Sequence, residues 1–147
     1  MDPKAYLLRY QEVQHQIEAN AQEALRLRSL AEKCTVSFDA QCFGSGGEGQ
    51  RIPRIVENLI HLEAQTDLLT HQLETAKREI AATINALPVQ THRELLRYRY
   101  LAGMTFEQIA VRMKYSWRQV IRLHGRALQI VAAVIAWNAH SGDSGTV

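Results

Sequence analysis

The chain has 147 residues, 46% of them hydrophobic and 22% charged, with a formal net charge of +2. That is ordinary for a soluble protein long enough to bury a real core. No stretch reads as a signal peptide, and the apolar run from Ala127 to Trp137 is too short, and too broken by Gln129, to be expected to span a bilayer.

Along the chain, Tyr6, Tyr10, Val13, Ile17, Asn20, Ala24, Leu27 and Ala31 recur at alternating spacings of four and three. This heptad seam predicts a first long amphipathic helix, with Asn20 as a polar seam residue that fixes register at some cost in stability. The segment TVSFDAQCFGSGGEGQR follows, and Gly44, Gly46, Gly47 and Gly49 predict a flexible Gly-rich loop over 34–51. Cys34 and Cys42 belong to that region; without a CxxC motif or a nearby His pair they are expected to be free thiols rather than zinc ligands.

From Ile52 a second seam runs through Ile55, Leu59, Leu62, Thr66, Leu69, Leu73, Ala76, Ile80, Thr83 and Leu87. At 1.5 Å per residue the two helices would measure about 45 and about 50 Å, well matched for an antiparallel, coiled-coil-like hairpin over 1–87. A two-helix hairpin leaves apolar surface uncovered, so a homodimer through these helices is expected. Pro88 lacks the helical N–H and marks the boundary of a second domain, 88–140, ahead of a flexible tail over 141–147.

Three hydroxyl residues each stand three before a Glu or Gln in the second domain: Thr91 with Glu94, Thr105 with Gln108, and Ser116 with Gln119. Each pair is a capping box that predicts a helix start, and Gly103 predicts a left-handed C-terminal cap between the first and second helices. The predicted tri-helical unit spans about 91–131. Its expected core is Leu95, Leu96, Leu101, Phe106, Ile109, Ala110, Met113, Val120, Ile121 and Leu128. Ala110 is small enough to let two helices approach closely. Beyond Arg126 the last helix is expected to continue through ALQIVAAVIAWNA, with HSGDSGTV fraying.

Charge is concentrated in this unit. From His92 to Arg126 the chain carries Arg93, Arg97, Arg99, Arg112, Lys114, Arg118, Arg122 and Arg126 against only Glu94 and Glu107, a net of +6 within a chain of +2. A compact basic segment is the footprint expected of a phosphate-backbone binder, although many basic faces are simply solvated.

The run LLRYRYLAGMTFEQIAVRMKYSWRQVIRLHGRAL resembles the region 4 helix-turn-helix of sigma-70-type factors. More specifically it resembles the C-terminal half of ArpU/RinA-type phage transcriptional regulators and a related phage domain of unknown function. The shared features are Arg99 and Tyr100 before the turn, Ile109 and Ala110 in the first motif helix, Ser116 opening the second, and Arg122 to Leu128 closing it. The resemblance implies an all-α chain in a bacterial host cytoplasm that binds double-stranded DNA and regulates phage or prophage genes, with the helix from Trp117 in the major groove. Arg118, Gln119 and Arg122 become candidate base readers, and Arg112, Lys114 and Arg126 candidate phosphate contacts, beside Ser116 and Trp117. Trp117 has an equally plain alternative, packing beneath the preceding turn. His124 is expected at the surface or in packing. Gly125 stands in a helix at a cost, for close approach either of another helix or of DNA.

Two other functional readings stay open. A sigma-like domain can contact host RNA polymerase as well as DNA. A small-terminase-like packaging component also joins a DNA-binding helical motif to an oligomerising coiled coil, usually in the opposite order. No catalytic or cofactor site is expected: His61 and His71 stand ten apart on one helix, and FGSGGEG lacks the Lys and flanking elements of a phosphate loop.

Overall fold

The computed structural model describes residues 2–41 and 51–143, with side chains described for 2–34 and 51–142. The described residues form an all-α protein with no strand. Its helices are α1 (Pro3–Gln41), α2 (Arg51–Asn85), α3 (Gln90–Leu96), α4 (Phe106–Met113) and α5 (Trp117–Asp143), with a π-helical turn, Arg97–Leu101, directly after α3. Cys42 and the glycines of the expected loop lie outside the described residues; Cys34 is a free, half-buried thiol.

Several boundaries differ from expectation. Helix α1 runs through Gln41 rather than stopping near Cys34, because the segment up to Gln41 contains no Gly or Pro to end it. Helix α5 extends into the expected tail as far as Asp143. The Thr91 capping box does not form: α3 begins two residues earlier than that box implies, after Val89 in extended geometry, and Gln90 Nε2 bonds Glu94 Oε1 at 3.2 Å. Ahead of it, Arg93 Nη1 donates to the Leu87 carbonyl at 2.5 Å. The segment Trp117–Gly142 of α5 does reach the length and mean hydropathy, 1.3, of a bilayer span. On this segment Val120, His124, Ala127 and Val131 are buried in protein while the other residues are half-buried or exposed, and Arg118, Arg122 and Arg126 stand along its first turns.

The molecule divides into two compact units, Met1–Glu12 with Leu73–Val147, and Val13–Gln72. In the second, α1 and α2 are bridged by Arg28 Nη2 to Glu63 Oε1 at 3.1 Å, an exposed pair of little energetic weight. Within this unit the seam residues are the less exposed ones, but only Leu27 and Ile55 are fully buried. Leu25, Val56, Ile60 and Leu68 remain exposed.

The first unit holds the main core. Leu7, Ala76, Ile80, Ile84 and Leu87 pack with Leu95, Leu96, Tyr100, Ile109, Ala110, Val120, Ala127 and Val131. The short helices thus share one core with the first turns of α1 and the last turns of α2. Ile121, expected inside, is only half-buried. The α1 segment also serves the backbone, since Gln11 Nε2 donates to the Arg99 carbonyl in the π-helical turn at 2.8 Å. That turn closes with Ala102 N–H bonded to the Arg97 carbonyl and Met104 N–H to the Tyr98 carbonyl, around Gly103 at φ 73°, as the left-handed cap requires.

At the centre, the Tyr100 hydroxyl and His124 Nε2 lie 2.7 Å apart, and Phe106 meets the His124 ring edge-on at 5.0 Å. Burial, reinforced by the Arg99 and Lys4 charges, lowers the His124 pKa to about 4. Burial likewise pushes the Tyr100 phenol up to about 12. Because the folded His124 pKa lies below the unfolded value, its contribution is fully present above about pH 6.5 and is lost as pH falls toward 4. Chemical denaturation should therefore report on the order of 3 kcal/mol less stability at pH 4 than at pH 7 from this group. At pH 7, Tyr100→Phe should cost about 1–3 kcal/mol by leaving the imidazole nitrogen unpaired.

Candidate nucleic-acid interface

Helices α4 and α5 are joined by Lys114–Ser116 alone, and both starts are chemically fixed. Gln108 N–H donates to Thr105 Oγ1 at 3.2 Å while Thr105 N–H donates to Gln108 Oε1 at 3.0 Å. Ser116 and Gln119 repeat the reciprocal pattern at 3.2 and 2.9 Å. Helix α4 ends on Lys114 in the left-handed region, φ 60° and ψ 40°, its N–H directed at the Ala110 and Val111 carbonyls. Left-handed geometry costs a residue with a Cβ roughly 1–2 kcal/mol, so a lysine here gives up stability that glycine would retain.

The basic residues of the segment fall into two groups. Arg93 bonds the Leu87 carbonyl, Arg97 bonds the Asn85 side chain, and Arg99 bonds the Met104 carbonyl at 3.1 Å with its guanidinium 4.1 Å from the Phe106 ring centre. These three are occupied with internal structure. Arg112 lies 5.7 Å over the Tyr98 ring, which leaves its charge in solvent. Lys114, Arg118, Arg122 and Arg126 are exposed and form no ion pair among the described residues. The last three recur every four residues and so share one flank of α5, away from the buried Val120, Ala127 and Val131.

The other expected site residues separate by role. Ser116 and Gln119 are exposed and engage their oxygens in the cap, which holds the Gln119 side chain back against the Ser116 N–H. Trp117 is 52% exposed, so it does not pack away beneath the turn. His124 is buried in packing. Around Gly125 a Cβ would meet nothing within 4 Å, which removes close helix packing as the reason for the glycine. It too is exposed, one helical turn from Arg122 on the arginine flank.

Sequence reasoning missed Tyr115 and His92. They line a cleft of about 520 Å³ together with Thr91, Gln119, Arg122 and Arg126. His92 is buried with its Nδ1 unpartnered, and burial, followed by the Arg126 charge, lowers its pKa. Neither residue belongs to a periodic pattern or charge run, and the available signal was their position beside Thr91 and Ser116, where the sequence predicts helix starts.

Two substitutions should stabilise the fold at this face. Gly125→Ala should add about 1 kcal/mol by helix propensity, and Lys114→Gly about 1 kcal/mol by relieving left-handed strain, whereas Lys114→Ala should change little. Urea titration of the three variants checks this, and a destabilised Gly125→Ala would mean that the site is crowded.

No family model, curated protein or solved structure matches the chain, so the character of this face is carried by its own residues.

Proposed function

We propose that the chain is a sequence-specific regulator of phage or prophage genes that binds double-stranded DNA, with α4, the tight turn and α5 acting as a helix-turn-helix. The observation that carries the reading is Lys114 at the tight turn with Arg118, Arg122 and Arg126 in a row along the capped α5, all exposed and without an ion-pair partner among the described residues. Unpaired cations in register along a helix suit a phosphate backbone, and the first exposed turn of α5 suits a major groove. The likeness to ArpU/RinA-type regulators and to sigma-70 region 4 points the same way. Arg118 and Arg122 are the base readers in this account, Lys114, Arg112 and Arg126 hold phosphates, and Gln119 together with Ser116 fixes the helix start.

A second reading, contact with host RNA polymerase, draws on one specific observation. Val111, Tyr115 and Trp117 are 81%, 38% and 52% exposed within a single short segment, and exposed large apolar groups suit a protein partner. The two readings are compatible, since one domain can meet both.

Selection and sequencing of fragments bound from the source genome tests the main reading. A recurrent motif is expected, and Arg118→Ala should weaken binding to it by about 1–3 kcal/mol with helicity unchanged. Absence of any salt-sensitive duplex affinity would overturn the reading.

The exposed Leu25, Val56, Ile60 and Leu68, beside a seam only half-buried in one chain, support an antiparallel hairpin that pairs with a second copy. Light scattering after size exclusion should give a dimer mass at micromolar concentration; a monomer would contradict this.

A further inference from the structure

The cleft between the first turn of α3 and the flank of α5 has an unbalanced lining. Arg122 and Arg126, one helical turn apart, line it together with the apolar Val89 and Leu123, and no Asp or Glu contributes a countercharge. Neither arginine has an acidic partner among the described residues. Thr91, Tyr115 and Gln119 add neutral donors, and in Gln119 the cap engages only Oε1, leaving the amide nitrogen uncommitted. The wall also contains His92, buried, with an imidazole nitrogen that the protein leaves without a partner. Burial and the Arg126 charge both disfavour its protonated form, so the field inside the cleft is that of the two arginines. At about 520 Å³ the cleft lies within the roughly 300–1,000 Å³ of small-ligand sites.

Two arginines a helical turn apart, with neutral donors around them and no acid, match an oxyanion, which offers several acceptors to planar, forked donors. A carboxylate-bearing or cationic ligand is less suited: the first offers fewer acceptors to so many donors, and the second meets repulsion. We propose that this cleft is a binding site for a phosphate-type oxyanion, held by Arg122 and Arg126. The phosphate belongs either to a free small molecule or to a nucleic-acid backbone. The inference needs the cations of this face but does not depend on duplex binding.

The experiment is a titration of the full chain with inorganic phosphate at constant ionic strength in chloride, followed by NMR of the arginine side chains and the His92 ring. Saturable shifts are expected at Arg122, Arg126 and His92. Arg126→Gln, an exposed substitution, should weaken binding by about tenfold or more. Arg78→Gln removes the same charge from an exposed position on α2, outside the cleft and outside the proposed DNA face, and should leave phosphate binding unchanged. Shifts that do not saturate, or equal weakening in both variants, would overturn the site and reduce it to a diffuse positive field.

Adding the duplex recovered by genomic selection identifies the source. Displacement of phosphate assigns the site to a backbone phosphate, and simultaneous binding assigns it to a free phosphate-bearing ligand. Saturable phosphate binding with no duplex affinity would leave the oxyanion site standing and remove the duplex reading.

Discussion

The hydrogen bond between the Tyr100 hydroxyl and His124 Nε2 sits where three separate pieces of chain must agree. Tyr100 comes from the π-helical turn, His124 from the second turn of α5, and Phe106, packed against the His124 ring, from the start of α4. A buried polar pair has no solvent to fall back on, so each partner is held to the geometry that satisfies the other. The widened turn at Arg97–Leu101 serves that requirement, and Gln11 on α1 ties down its Arg99 carbonyl from outside. The angle at which α5 leaves the tight turn therefore depends on a core contact rather than on the turn alone.

At the end of α4 and on the opposite flank of α5 the chain departs from good helix chemistry, once in each place. Lysine occupies a left-handed position where glycine would be easier, and glycine occupies a helix interior where alanine would be easier. No internal packing explains either choice. Both positions are exposed and belong to the same short cationic stretch as Arg118 and Arg122. Local rules broken without an internal gain are expected where a surface is shaped for a partner. A positive charge held at the end of α4 and a clear space between arginines both suit close approach of a phosphate backbone.

Much of the architecture was legible in the sequence because it is periodic. The heptad steps of both long helices correspond to their less exposed faces, and the boxes at Thr105 and Ser116 formed as their spacing implies. The Thr91 box failed because Val89, extended after Pro88, let α3 start two residues sooner than that box implies. The end of α1 was placed too early because composition alone suggested a loop before any glycine appeared. What could not be read was long-range: that Leu7 and Ile84 complete the core of the short helices, that Arg93, Arg97 and Arg99 are committed internally, and that Thr91 and His92 face Arg126 across a cleft. A count of charges does not distinguish a cation that holds a carbonyl from one left in solvent, and only the packed structure separates them.

The central claim is that the four unpaired cations around the start of α5 form a surface for duplex DNA. Backbone amide shift mapping on addition of the genome-selected duplex, repeated at rising salt, tests it most directly. The account predicts perturbations concentrated in residues 111–126, with affinity falling by roughly 0.9 in log K per log salt for each phosphate neutralised. Perturbations confined to 13–72, or none at low salt, would contradict it.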